Sequence, residues 1–569
     1  MRISRVPPAL RSLPPRRARA ALLTVILAVL SLLKVLHHPL PGDYGADGST
    51  YVHIARHVAE GRGLRTSVSL YHQGLKNMPA PTTIYPLWPL LLGAVGRVIG
   101  LDRAAHLLPE LLYLLALLAL YALANRLMVA WSRDRDPRIV PGAPLDLGHV
   151  AVLLLGLNAV FFRYSSLPYT DTLALALGLA ALVALARQLD SGGVRRAALA
   201  GALGGAAYLA RTQMIVVPLV TVGTLSVVAL RGDGRERRAL AAGVVATGAV
   251  VAPWFVFLAG FVHDPHPMML LDVLTYHRET PEVPPLAWIA PPASSGALAR
   301  QVLAGTVVAF SPRGPSWVAS FGPAAWTVPL AAAAVACCRP LRTTFLASRQ
   351  RAAIIAIAIA GLGLGLMTLG AHSESDFAQG WAFAQRYGLP FIVLLTAALA
   401  CLLGTTRPPL DADLPGARES RGLVVLRVVT LLLVGASLAQ TAWHTPEMVA
   451  ERGRGPSRNE RKLAHWLDAQ PRTPVVIARR AARLAVVSRA SFHWIACNDP
   501  ADVLRALFRH AGAEYLVTRP PDRDCRFFAD VAPELELVET FDAGGAVLTL
   551  YRWRGAGGGD EERAPEGGR

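Results

Sequence analysis

The chain has 569 residues, 53% of them hydrophobic and only 17% charged, with a mean hydropathy of +0.39 and a net charge of +18. An ordinary soluble protein of this length is less apolar, and here the apolar residues gather in blocks of about 20, long enough to cross a bilayer. The arginines concentrate in short loops between those blocks, where positive charge orients membrane spans, so the charge does not indicate nucleic acid as a partner.

The first apolar block, Ala20 to Leu36, follows Arg11, Arg16, Arg17 and Arg19. No small-residue cleavage site ends it and further blocks follow, so it reads as an uncleaved helix with its amino end in the cytoplasm. Outside the membrane comes "PGDYGADGSTYVHIARHVAEGRG", residues 41–63. From Asp47 this stretch has a helical pattern. Tyr51, Ile54, Ala55 and Val58 share one face, His53, Arg56, His57 and Glu60 the other, and Gly61 and Gly63 end it. The pattern predicts an amphipathic helix resting on the bilayer surface, capped by Asp47 and exposing solvated histidines. His53 and His57 have the i, i+4 spacing of a helical zinc pair, but Ile54 stands where a HExxH motif places its glutamate. "TTIYPLWPLLLGAVGRVIG" then reads as a helix lying at the membrane interface.

Further spans are expected near residues 104–131, 148–164, 171–187, 197–209, 212–230, 239–260, 321–338, 352–371, 386–404 and 423–442, the pair over 197–230 being short enough to form one bent span. That makes about 11 spans in all. The loops "RDRDPR", "RQLDSGGVRR", "RGDGRERR", "RPLRTTFLASRQR" and "RPPLDADLPGARESR" are arginine-rich and fall on the cytoplasmic side of this topology. Segments 38–103 and 261–320 are the two long outer loops, and loops of that length usually carry function. Gly201 and Gly205 inside an apolar run read as a close helix contact. Asp-x-Asp triplets at Asp134 and Asp136, Asp411 and Asp413, and Asp522 and Asp524 have no nucleotide-binding domain around them and read as solvated turns.

After residue 443 the sequence becomes charged and alternating. "NERKLAHWLDAQ" and "DPADVLRALFRHAG" read as helices, and "PVVIA", "AEYLVT", "LELVETF" and "GAVLTLYRW" as strands. The organisation expected is a membrane domain over 1–442, an extracytoplasmic α/β domain over 443–554, and a disordered tail over 555–569. Cys337, Cys338 and Cys401 lie in or beside spans and read as packing residues. Cys497 and Cys525 both lie in the outer domain, where an oxidising compartment allows a disulfide if their Cα atoms approach closely enough.

The segment "DGSTYVHIARHVAEGRG" after a first span, followed by "YPLWPLLLGAVGRVIG", resembles the first outer loop of the GT-C glycosyltransferases that use polyprenyl-phosphate sugars. These include the protein O-mannosyltransferases and the lipid A aminoarabinose transferases. Further similar segments arrive in order: "SLPYTDTLALALGLAALVAL", "GALGGAAYLARTQMIVVP" and "QRYGLPFIVLL". The resemblance implies a GT-C fold, a multi-pass protein of the cell (inner) membrane, a polyprenyl-phosphate-linked sugar donor and an extracytoplasmic acceptor that is a glycan, a lipid or a protein. It also implies an essential acid in the first outer loop, matched by Asp47 as general base on the acceptor, and a second acid matched by Asp171 beside Tyr169.

The departing phosphate needs cations, for which Arg211, His277, Arg278 and Arg386 are candidates, with Lys76 in reach from its loop. Arg211 and Arg386 also read as interface anchors at helix ends. Many relatives carry Asp-Glu at the first-loop site, whereas here Gly48 follows Asp47, and this makes Asp43 a rival base. No cofactor or metal is expected. A lipid-glycan flippase or transporter, or a non-catalytic protein of GT-C type, is the alternative, but a transporter would favour internal repeats and ionisable residues near mid-membrane.

Overall fold

The computed structural model describes residues 15–36, 44–69, 79–82, 84–131, 145–261, 456–495, 497, 501–510, 512–543 and 546–554, with single positions at 428, 431, 432 and 435. The outer segment 261–320 beyond its first residue, the expected spans beyond 320 apart from those single positions, the tail 555–569, Cys337, Cys338, Cys401 and the first two Asp-x-Asp triplets therefore lie outside the described residues.

In chain order the first half comprises α1 (Pro15–Leu36), α2 (Gly45–Ala59), β1 (Arg65–Thr66), β2 (Val68–Ser69), β3 (Ala80–Pro81), α3 (Leu87–Ile99) and α4 (Leu101–Trp131). It continues with α5 (Leu147–Gly156), α6 (Ala159–Tyr164), α7 (Thr170–Ser191), α8 (Val194–Ala210), α9 (Val216–Arg231) and α10 (Gly234–Phe261). The last part comprises α11 (Arg458–Asp468), β4 (Val475–Ala478), α12 (Ala481–Val487), β5 (Ser491–Trp494), α13 (Ala501–His510), β6 (Tyr515–Thr518), α14 (Arg526–Val531), β7 (Leu535–Phe541) and β8 (Leu548–Trp553). Among the described residues, four helices are long and apolar enough to cross a membrane by length and composition: Arg17–Leu36, Leu101–Arg126, Thr170–Ser191 and Gly234–Leu258.

The described residues fall into two compact units, one drawn from residues 1–38, 109–166 and 170–451, the other from 39–108, 167–169 and 452–569. The first is helical. Its α8 packs against α7 and α10, and the glycines set the approach: a Cβ on Gly201 would lie 2.1 Å from the Gly243 carbonyl oxygen of α10. Thr247 donates its hydroxyl to the Gly201 carbonyl at 3.0 Å, so small residues and a hydroxyl bring two backbones together. Between α8 and α9 the chain is extended at Arg211 and then makes a 3-10 turn over Thr212–Ile215, giving two short helices in place of one bent span. The span expected over 148–164 is likewise two helices. Asn158 interrupts it, adopting an extended backbone and capping α6 by accepting the Phe161 N–H.

The second unit contains a three-layer α/β/α arrangement. Its six-stranded sheet has the order β2-β5-β4-β6-β8-β7, with β2, β5, β4 and β6 parallel and the β6-β8 and β8-β7 pairs antiparallel. Alternation divides the strands between two cores. Val476, Ala478, Tyr515 and Val517 pack with Leu463 and Leu467 of α11 and Leu484 of α12. Ile477 and Leu516 pack with Leu504, Leu507 and Phe508 of α13 and Phe527 and Val531 of α14. Ser457 opens α11 with a reciprocal capping box to Glu460. The edge strand β2 comes from the segment between α2 and α3, and Phe492 donates its N–H to the Ser67 carbonyl at 2.7 Å beside it.

Candidate functional site

Asp47 is the third residue of α2 rather than its cap. The helix begins at Gly45, and Tyr44 in the capping position makes no side-chain cap bond. Its phenol instead donates to Asp102 of α4 at 2.5 Å, which anchors the helix start in the surrounding protein. Burial and the adjacent Asp102 carboxylate push the Tyr44 pKa up, so the phenol stays a donor. An acid in the first turn still interacts favourably with the unpaired N–H groups there, and Asp47 retains partial solvent exposure.

The expected solvated face of this helix is in fact buried: His53 is 3% exposed and His57 4%. The helix packs against α3 on one side and α12 on another, so it does not lie open on a surface. The Ser67 N–H donates to His53 Nε2 at 2.9 Å, which leaves the ring proton on Nδ1, 3.1 Å from the Ala485 carbonyl that accepts it. His57 Nε2 lies 3.1 Å from the Ser67 hydroxyl, and the two rings meet edge to face at 4.9 Å. Burial, followed by repulsion from His57 and Arg56, lowers the His53 pKa to about 3. Burial and Arg62 lower that of His57 to about 4. Arg56 donates to the Ala485 and Val486 carbonyls, satisfying the last turn of α12 as a cation at a helix carboxyl end does. Thus the helix carrying Asp47 is keyed to the sheet domain by two neutral histidines and an arginine.

Gly48, next to Asp47, faces the turn before α7. A Cβ there would lie 3.1 Å from both the Pro168 and Tyr169 side chains, and Trp88 Nε1 donates to the Pro168 carbonyl at 2.7 Å. A side chain at position 48 would therefore press on Pro168 and Tyr169.

In the helical unit, Asp171 opens α7 and is 2% exposed. Arg211, also 2% exposed, reaches it from the extended link after α8: Nη1 lies 2.8 Å from the Asp171 carboxylate and 3.4 Å from the Thr170 hydroxyl. An acid and a cation expected to act separately thus form one buried pair. Lys34 is a residue sequence reasoning missed. It is fully buried at the end of α1, donating to the Ser165 hydroxyl at 2.9 Å, 3.6 Å from Glu110 and 4.3 Å from the Tyr113 ring centre. Its signal was available, a single lysine inside an apolar run, and such charges are retained where they are paired. Asp43, Lys76, His277, Arg278 and Arg386 lie outside the described residues.

Cys497 and Cys525 form a disulfide, with Cα atoms 4.7 Å apart. Asp522, expected in a solvated turn, is buried, because its carboxylate accepts from Arg479 at 2.7 Å and from the Arg519 N–H at 2.9 Å.

No known family profile matches the chain, and no curated protein matches it by sequence. Solved structures do match in fold. The archaeal oligosaccharyltransferase AglB from Archaeoglobus fulgidus, in complex with an inhibitory peptide and a dolichol-phosphate, superposes with a TM-score of 0.56 at 14% identity, over 93% of this chain and 74% of that one. ArnT from Cupriavidus metallidurans, bound to undecaprenyl phosphate, gives a TM-score of 0.53 at 16% identity, over 93% of this chain and 97% of its own. The mycobacterial arabinofuranosyltransferase AftD gives 0.53 at 16% identity, over 94% of this chain but only 41% of its own. The chain thus shares the fold of these three structures, and among its described residues four helices are long and apolar enough to cross a membrane.

Proposed function

We propose that the protein is an inverting glycosyltransferase that moves a sugar from a polyprenyl-phosphate carrier to an extracytoplasmic acceptor. The observation that supports this most is the whole-length likeness to ArnT, a protein solved with undecaprenyl phosphate bound. In this reading the chain crosses the membrane about 11 times, with its amino terminus in the cytoplasm and its sheet domain outside.

Asp47 accepts the proton from an acceptor hydroxyl or amine as that atom attacks the anomeric carbon. The bond from that carbon to the phosphate oxygen breaks with its electron pair on the phosphate, and the sugar configuration inverts. Positive charge on Arg211, His277, Arg278, Arg386 and Lys76 stabilises the departing phosphate. Asp171 holds Arg211 in place for that role, and Tyr169 shapes the sugar or acceptor pocket. Asp43 is the alternative base.

Comparing the cell-envelope glycans of strains with and without the gene tests the reading. It predicts loss of one sugar substituent, restored by the wild-type gene. An unchanged glycan profile, with measurable lipid translocation by the purified protein, would favour the flippase alternative.

A further inference from the structure

The outer sheet domain carries a second constellation that the transfer chemistry does not use. Its parallel strands run β5-β4-β6. From β4 the chain moves out to β5 on one side, then crosses by α13 to β6 on the other. Connections leaving β4 and β6 thus diverge at the strands' carboxyl ends, the place where open α/β sheets form a ligand crevice.

The residues leaving those strands are arginines: Arg479 and Arg480 directly follow β4, and Arg519 and Arg523 follow β6. Arg483 of α12 joins them through a shared partner, since Glu460 accepts from Arg483 at 3.1 Å and from Arg519 at 2.8 Å. Arg479 pairs with Asp522, and Arg523 donates to the Thr549 hydroxyl at 2.8 Å beside the end of β6. Three of these guanidiniums, Arg479, Arg483 and Arg519, thus pair with two buried carboxylates, with the exposed Asp524 in the same loop as Asp522.

The Arg480 guanidinium has no hydrogen bond or ion pair among the described residues and is exposed, while its backbone carbonyl accepts from the Arg483 and Leu484 N–H groups of α12. Partial desolvation, then repulsion from Arg519 and Arg483, pulls its pKa down against the attraction of Glu460 and Asp522. The fully buried Thr518, last residue of β6, leaves its hydroxyl without a partner among the described residues. The Cys497–Cys525 disulfide joins the connection after β5 to the one after β6, and Arg479 Nη1 lies 3.6 Å from the Cys525 sulfur. The cross-link fixes the loops that flank the arginines, a preorganisation that arginines serving only as a solvated surface do not need.

We propose that this crevice binds a phosphate or carboxylate group, with Arg480 as its principal contact and Arg479, Arg519 and Arg523 around it. Guanidinium forks match both oxyanions in geometry, and an entering anion relieves the repulsion among the arginines. That the group belongs to an acidic acceptor glycan rests on the glycosyltransferase reading. The binding does not.

The test is calorimetric titration of the full-length protein in nanodiscs of zwitterionic lipid with inorganic phosphate, glucuronate and glucose. Either anion should bind and glucose should not, the better anion naming the class. Arg480→Gln should weaken that binding about tenfold or more. Arg505→Gln, at a surface arginine paired with Glu534 on α13's side of the sheet, should leave it unchanged. Absence of binding by either anion, equal binding by Arg480→Gln, or an Arg480 dependence seen only with phosphatidylglycerol vesicles would overturn the proposal. Because no sugar transfer is measured, failure here and failure of the transferase reading are seen separately.

Discussion

Asp171 and Asp47 both sit in the first turn of a helix, yet their surroundings differ in kind. Asp171 is buried among helices and spends its charge on Arg211 at 2.8 Å. Asp47 keeps partial exposure, and its helix is held in place by the neutral His53 and His57 on Ser67 and the Ala485 carbonyl, together with Arg56 on the last turn of α12. A carboxylate committed to a buried guanidinium is a poor proton acceptor, because taking the proton would strand the cation. In the proposed reaction the charged pair therefore has the positioning role and the exposed acid the proton.

The largest effect should come from breaking the pair. Asp171→Ala leaves Arg211 buried without its carboxylate and should cost about 3–5 kcal/mol, read as a lowered thermal midpoint of the purified protein. The double variant Asp171→Leu, Arg211→Met should recover most of that stability. If it does not, the pair is doing more than compensating charge.

The neutral side of the comparison is tested with pH. The His53 pKa drops from 6.5 in the unfolded chain to about 3 in the fold, so between those values the unfolded chain binds more protons. Stability conferred by docking α2 is therefore complete above pH 6.5 and is lost as pH falls toward 3. Lowering pH to 5 should cost about 2 kcal/mol at this residue. Hydrogen exchange of the α2 amides, corrected for intrinsic rates, should lose protection at pH 5 relative to pH 7.5, and His53→Gln should flatten that dependence. A smaller effect is expected at Gly48. Gly48→Ala must displace Pro168 or Tyr169 by a few tenths of an ångström, costing about 1 kcal/mol in thermal unfolding.

The long apolar helices and the strands at Val475, Tyr515, Leu535 and Leu548 were legible in the sequence because each carries its own periodicity. Edge strand β2 was not, being two residues long and paired with β5, far along the chain. The histidines misled for a related reason. Helical periodicity identifies a polar face but not what covers it, and Ser67 and Ala485 supply the polar partners that let His53 and His57 be buried. Asp171 and Arg211 could each be picked out as functional candidates, whereas their pairing depends on how α7 meets the link between α8 and α9. Asp47 read as a cap because the pattern starts there, and the anchoring of Tyr44 on Asp102 moved the helix start earlier.

The proposed reaction turns on one proton. Asn keeps the size and polarity of Asp47 but accepts no proton, and removing a first-turn charge alters helix stability by only about 0.3–1 kcal/mol. The direct measurement is transfer of labelled sugar from a polyprenyl-phosphate donor pool to envelope acceptor by the protein in nanodiscs, wild type against Asp47→Asn. The expected result is a variant with wild-type thermal stability within about 1 kcal/mol and transfer reduced at least about a hundredfold. Transfer at the wild-type rate by a normally folded Asp47→Asn protein would contradict it and move the search to Asp43.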